Sequence, residues 1–455
     1  MNRLGRNLLG ATLLALTMSF ATCALAQDTV LYSLGASPTD GQSSYSTLIH
    51  DPYGNLYGTT AYGGSAGLGT VFVLCAPGVS GPDLYPCTTG LTIWTEFVLY
   101  TFTGSANNDG AFPFGTLIFN STWGGRRYTL YGTTSSGGSA SCGKGNTGCG
   151  TVYELCSPSP SGCGGPHAWK EKVLYRFTGA PSDGAYPQAG LITDRFSNLF
   201  GTTAGGGGGN CSCGIVFELI GRQSNWTFPE RILHDFSLNP LDGGGPEAVL
   251  CCSSTGIIQD IYGTTYLGGS TDNGVVFRIR NTYPTYAETI LYNFCSLPNC
   301  IDGALPPSGV TMKSGRLYGM TITGGQNNVG LVYQLTPSTP FWSEARLYSF
   351  TGIPSGGPSS DGSYPISDLI FDSAGHNLYG TTQTGGSTGN GIVFELPGPY
   401  WTTENILTNF QGAPSDGAQP WSGLAWDPPI SANELYGATI IGGTNSNSGV
   451  VYSVP

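Results

Sequence analysis

The residues in this sequence best suited to chemistry come as a repeated pair. Asp-Gly recurs at Asp40, Asp109, Asp183, Asp242, Asp302, Asp361 and Asp416, and in six cases a proline follows, at 113, 187, 246, 306, 365 and 420. Carboxylates at so many equivalent points could ring an axial mouth and hold Ca²⁺, but no Asp-x-Asp-x-Asp-Gly loop accompanies them. Turn-making is the plainer chemistry, with the carboxylate accepting nearby backbone N–H groups while glycine takes positive φ. A feature used seven times is a fold device, whereas a single active site breaks the symmetry. Beside these turns stand aromatic residues: Phe112 near Asp109, Tyr186 near Asp183, Tyr364 near Asp361 and Trp421 near Asp416. Exposed rings next to carboxylates would make a sugar-stacking surface; rings packed under the turn would be structural. These eight residues are the candidate binding set.

Other polar residues offer less. His50, His167, His234 and His376 lie in different contexts, without triad or metal spacing. The glycine run 205–209 lacks the Gly-Lys-Ser/Thr of a phosphate loop. Glu96, Glu171 and Glu344 recur in a Trp-x-Glu pattern that reads as an outer-strand charge opposing edge-to-edge aggregation. Sequons at Asn120, Asn210 and Asn225 would carry little weight if the source is bacterial. No catalytic residue and no metal ligand is assigned, and no cofactor beyond the Ca²⁺ option.

The elements that must position these residues repeat as well. Leu-Tyr-Gly-Thr-Thr or a close variant places its aromatic at 57, 131, 200, 262, 318, 379 and 436, a period of about 63 residues. Each unit holds four strand-like runs. Residues 47–51, 117–120 and 369–372 exemplify the first; the Leu-Tyr-Gly-Thr-Thr run is the second; 150–155 and 391–396 exemplify the third; 171–177 the fourth. Tight-turn residues such as Pro52, Gly54 and Asn55 join the first two as a hairpin. Apolar residues occupy both parities, so both sheet faces should be buried. Stacked four-stranded blades meet that demand. The glycine recurring inside the second strand marks a close approach, expected from an aromatic ring of a neighbouring blade.

The ends complete the count. The last unit stops after a third strand, 449–454, and residues 28–34 match the fourth-strand pattern with Asp28 in the usual glutamate position. Pairing these two segments would close a ring and remove its open edges. The expectation is an all-β, seven-bladed β-propeller with four-stranded blades, the N-terminal strand completing the last one.

The Leu-Tyr-Gly-Thr-Thr, Gly-Gly and Gly-Thr-Val-Phe-Glu-Leu pattern resembles the GloVer tandem repeat of exported bacterial proteins, across nearly all of residues 27–455. The Asp-x-x-Gly-Asn-Leu-Tyr hairpin is also similar to propeller repeats of the NHL type. The resemblance implies export and a propeller-like fold, and no established activity. Some members carry a C-terminal sorting anchor; this chain ends on its last strand, which suggests a soluble exported form.

Composition is consistent with that picture. Glycine numbers 72 of 455 residues and charged residues make up 10%, against an ordinary ~7% and ~25%. Residues 1–26 read as a secretory signal, with Arg3 and Arg6, an apolar run over 8–20, and Ala24-Leu25-Ala26 before the cut. The domains are therefore 1–26, signal peptide, and 27–455, propeller. The net charge of −12 becomes −14 once the two signal arginines are removed, so nucleic acid is excluded as a natural partner. No later segment is apolar enough to span a membrane. Twelve cysteines remain after the signal, and local disulfides are expected between Cys75 and Cys87, Cys142 and Cys149, Cys156 and Cys163, and Cys295 and Cys300. Cys211, Cys213, Cys251 and Cys252 are left unassigned. The function expected is a soluble, secreted (extracellular or periplasmic), monomeric, non-catalytic binding or scaffold module, with a glycan or a protein as ligand. The alternative is an extracellular lyase or glycosidase with two carboxylates in an axial funnel.

Overall fold

Short strands rich in Val, Phe, Tyr and Thr, separated by glycine turns, fold into seven antiparallel sheets of four or five strands, with small two-stranded sheets beside them. The computed structural model describes residues 28–455 except 79–85, 88–89, 121–128, 139–141, 143–146, 159–167, 210, 222–227, 240–241, 253–257, 283–284, 340–341, 353–360 and 427–433. The signal segment, Cys163 and His167 thus lie outside the described residues.

We letter the strands of each blade a to d in chain order. Blade 1 consists of Ile49–His50, Leu56–Thr60, Thr70–Cys75 and Thr95–Thr101, paired in that order. Blades 2 to 6 repeat it, with strand b at Thr129–Thr134, Leu199–Thr203, Asp260–Thr265, Arg316–Thr321 and Leu378–Gly385. Blade 7 takes Ala425–Trp426, Leu435–Ala438 and Val450–Val454 from the C-terminal end and Thr29–Ser33 from the N-terminal end. Thr29–Ser33 runs antiparallel to Val450–Val454, with Thr29 opposite Ser453 and Ser33 opposite Val450. The expected closure is therefore present. Even the irregularity is shared: strands c and d shift register at Val71/Phe72 in blade 1 and at Val30/Tyr32 in blade 7.

Strands b and c are buried along their length, from Leu56 to Thr60 and from Thr70 to Cys75 in blade 1. The strand-b glycine explains itself here. A Cβ on Gly58 would stand 2.7 Å from the Phe72 ring, and one on Gly132 would stand 2.4 Å from the Tyr153 hydroxyl. These rings belong to strand c of the same blade, directly across the ladder. This corrects the expectation of a neighbouring blade's ring. The neighbour contributes the next layer: Phe102, after strand d of blade 1, meets Tyr153 edge-on at 5.1 Å, and Phe177 meets Phe217 likewise. Six seams between blades are thus aromatic stacks above a bare backbone, and the seam between blades 7 and 1 has Leu34 in place of the strand-d phenylalanine.

The described disulfides are Cys75–Cys87, Cys142–Cys149, Cys295–Cys300 and, unassigned from sequence, Cys211–Cys213. They close short loops, as in proteins of oxidising compartments. The Cys156–Cys163 expectation falls partly outside the described residues. Among the described residues no helix is long and apolar enough to cross a membrane.

Candidate functional site

The Asp-Gly carboxylates are tied into the fold by hydrogen bonds. Asp109 Oδ2 accepts from the Tyr100 hydroxyl at 3.1 Å, the Thr103 N–H at 2.7 Å and the Thr103 hydroxyl at 2.8 Å, while Oδ1 accepts the Gly110 N–H at 2.6 Å. Asp183 has the same partners in Tyr175, Thr178 and Gly184, and Asp361 in Tyr348 and Thr351. Asp416 accepts from Gln411 and Gly417. All seven carboxylates are buried. Five of them accept from a strand d tyrosine and Asp242 pairs with His234; none of the seven lines the axial cavity.

The outer-strand glutamates correct another expectation. Glu96, Glu171, Glu230, Glu288, Glu344 and Glu404 each come from strand d of the following blade, and each has a sealed Oε1 that accepts no hydrogen bond. Burial, reinforced by the facing Asp40, Asp109 or Asp361 charge, pushes Glu96, Glu171 and Glu404 up to about 8. A solvated edge charge would show neither feature. Two carboxyl groups facing each other in a seam hold one proton between them.

Phe112, Tyr186 and Tyr364 also belong to the repeat. Each has φ near +60°, and the same position is left-handed at Ser43, Gly245, Leu305 and Gln419. The Phe112 N–H donates to Leu68 O of the preceding blade at 2.8 Å, and Tyr186 and Tyr364 bond Cys149 and Val329 in the same way. Trp421 is different. It sits two residues past that position and, unlike them, lines the axial cavity; its exposure of 37% is matched by the 39% of Tyr364.

Trp421 belongs to a funnel on the ring axis. Its upper ring is formed by Tyr45, Phe114, Gln188, Glu247, Pro307, Ile366 and Trp421, one residue per blade. Two residues further along each chain lies a second ring of Thr47, Thr116, Gly190, Val249, Gly309, Asp368 and Gly423. Below it the wall turns apolar, with Ile49, Ile118, Ile192 and Ile370. Alternation along strand a explains the spacing: every second side chain faces the axis, and the residue between, such as Leu48 or Leu369, is buried in the blade. The upper cavity measures about 340 Å³, within the range of small-ligand sites.

Two features break the sevenfold pattern. Tyr45 packs edge-on against Phe114 at 5.0 Å and against Trp421 at 5.5 Å, so blades 7, 1 and 2 present a continuous aromatic arc. Two acids, Glu247 of blade 4 and Asp368 of blade 6, occupy columns where no other blade has one. Asp368 Oδ1 accepts the Gly309 N–H of the neighbouring blade at 2.8 Å. Thr47 and Thr116 do the same for Gly423 and Thr47 across their seams, at 3.0 and 3.2 Å. One carboxylate oxygen of Asp368 therefore serves the ring, while the residue lines the funnel. Burial raises Asp368, with the Gly309 N–H opposing, and raises Glu247 as well.

Of the eight sequence candidates, the funnel brings in Trp421 alone; the other seven lie at the seams. Tyr45, Phe114, Glu247 and Asp368 were not found from sequence. Aligning the seven first strands would have exposed them, since their columns carry unlike residues while the flanking leucines stay constant.

Solved structures similar to this chain are distant from it. Crystallised Pseudomonas aeruginosa periplasmic gluconolactonase is 14% identical, with 89% of this chain and 99% of that one covered and a TM-score of 0.44. Kuenenia stuttgartiensis hydrazine synthase is 12% identical, covering 92% and 98%, with a TM-score of 0.49. A putative 6-phosphogluconolactonase from Bacteroides uniformis is 13% identical, covering 84% and 94%, with a TM-score of 0.44. No curated relative matches the chain. The Gloeobacter/Verrucomicrobia repeat matches residues 21–258, 141–370 and 259–455. The chain belongs to the Gloeobacter/Verrucomicrobia repeat family.

Proposed function

We propose that this is an exported carbohydrate-binding propeller whose ligand, a neutral glycan, enters the axial funnel and stacks on Tyr45, Phe114 and Trp421. The aromatic arc set against two single-copy acids is the observation that carries the reading. Sugar faces pack on aromatic rings, and carboxylates and hydroxyls fix their orientation by hydrogen bonding. Glu247 and Asp368 at the mouth, in a chain of net charge −12, disfavour polyanionic glycans. The local disulfides accord with export to an oxidising compartment. Calorimetric titration of the mature protein with neutral oligosaccharides tests the proposal. Trp421→Ala should weaken binding by about tenfold or more, the size expected for a lost stacking contact at a binding centre. Unchanged affinity in that variant, or no neutral glycan bound at all, would sink it.

A specific observation supports a second reading, a glycoside-cleaving enzyme. Glu247 and Asp368 line one funnel, and burial shifts both upward, the direction that favours the protonated form a general acid needs. Under this reading Asp368→Asn and Glu247→Gln abolish turnover of an oligosaccharide while leaving its binding within a few-fold. Absence of turnover by the unmodified protein on every glycan it binds would leave the binding reading alone.

A further inference from the structure

Five of the seven seams share one polar plan. In strand d the residue four places after the acid is tyrosine, at 32, 100, 175, 292 and 348, and its hydroxyl donates to the Asp of the following Asp-Gly turn. The seam closing blade 6 has Thr408 there, bonded to Asp28. The seam between blades 3 and 4 has His234. Its Nε2 lies 3.0 Å from Asp242 Oδ1. A carboxylate oxygen of Glu288, from strand d of blade 4, completes a group whose three ligating atoms all lie within 4.8 Å of one another.

We propose that His234, Asp242 and Glu288 form a binding site for a divalent transition-metal ion, with zinc the cation that suits the donors. A neutral imidazole and two carboxylates make a borderline N/O set, which zinc accepts with three protein ligands and a water. Bonds of ~2.1 Å put tetrahedral ligand atoms about 3.4 Å apart, so the histidine and Asp242 already stand at ligand spacing and Glu288 has only to close in. Two further observations point the same way. Glu288 Oε1 is sealed from solvent and accepts no hydrogen bond, leaving a lone pair for a cation. The imidazole side chain is 22% exposed, which gives an entry route and room for the water. The orphaned glutamate oxygen recurs in five other seams. All five of those seams offer a phenol in place of the imidazole, and a phenol is a poor zinc ligand at neutral pH. Histidine is therefore what sets this seam apart. Asp242 keeps its backbone anchors in Ser237 and Gly243, which hold the carboxylate in place as a preorganised ligand.

The test uses the mature protein, freed of metal by a chelator and titrated with zinc chloride by calorimetry, with thermal unfolding followed in parallel. One equivalent of zinc should bind and raise the melting temperature, as any ligand selective for the folded state must. His234→Tyr installs the residue that five sister seams already carry, so the fold has a precedent for it. That variant should lose zinc affinity by at least about tenfold, and so should Glu288→Gln. X-ray absorption of the zinc-loaded protein should show a single imidazole among oxygen neighbours. No zinc bound, or zinc bound equally well by His234→Tyr and Glu288→Gln, overturns the proposal. Glycan affinity should be the same in His234→Tyr, which separates this site from the funnel.

Discussion

At the residue scale, the strand-c ring above the strand-b glycine gives the sharpest internal comparison. Four blades place phenylalanine there, Phe72, Phe217, Phe277 and Phe394; three place tyrosine, Tyr153, Tyr333 and Tyr452. All three tyrosine hydroxyls are sealed and without a hydrogen-bond partner, and burial holds their pKa well above the phenol range. An unsatisfied buried hydroxyl costs about 1–3 kcal/mol, and removing it with its shape nearly preserved is neutral or stabilising. Tyr153→Phe, Tyr333→Phe and Tyr452→Phe should each raise stability by about 1 kcal/mol in denaturant unfolding, and the effects should add because the residues lie in separate blades. A loss of stability would mean that the hydroxyl has a partner and the sealed-group argument fails. The opposite substitution, Gly132→Ala, should destabilise strongly, because a Cβ there would lie 2.4 Å from the Tyr153 hydroxyl. The glycine was legible in the sequence as a point of close approach. Which ring approached was not, because sequence periodicity gives the spacing of strands and says nothing of which partner lies across the ladder. Glu247 and Asp368 were illegible for the converse reason. Each occurs once in its column, and a search guided by repetition passes over single occurrences.

At the scale of the element, strand d and the Asp-Gly turn form one unit. Charge patterning suggested a solvated acid on an outer strand, but strand d of one blade is covered by the turn of the preceding one, and the acid ends up facing another carboxyl. The folded-state pKa of Glu96, Glu171 and Glu404 is pushed up to about 8 and that of Glu344 to about 7, chiefly by burial. In the unfolded chain a glutamate titrates near ~4.3. The folded state therefore keeps protons that the unfolded state gives up, and stability falls as pH rises between those values. This is the reverse of a salt-bridged carboxylate. The melting temperature should decline steadily from pH 5 to pH 8 and level off above. Glu171→Gln and Glu404→Gln keep the shape and cannot ionise, so each should flatten that slope. At pH 8 each should be more stable than the parent by about 1 kcal/mol, a value kept small because the glutamates retain some contact with water. A melting temperature that climbs over the same range would show that these seams hold no shared proton.

At the scale of the whole molecule, what closes the ring is a hydrogen-bonded ladder between chain ends, and that was the most legible feature of all. A fourth strand with no predecessor and a third strand with no successor leave one arrangement without open edges. The physical claim is that this ladder holds the circle shut better than side-chain packing alone, and circular permutation separates the two. Thr29 stands opposite Ser453, so a short glycine-containing turn can join the ends. Reopening the chain between strands c and d of blade 6, within 397–404, moves the split blade without abolishing it. Reopening between strand d of blade 6 and the Asp416 turn, within 411–415, leaves seven whole blades and a seam held only by packing and turn contacts. The first permutant should unfold in guanidinium at close to the parental rate, and the second at least about tenfold faster, because breaking that seam no longer requires stripping a strand from its sheet. Equal rates for the two would mean that the aromatic stacks, such as Phe410 on Tyr452 at 4.9 Å, suffice to seal the ring. The N-terminal strand would then serve to complete a blade and to cover its edge.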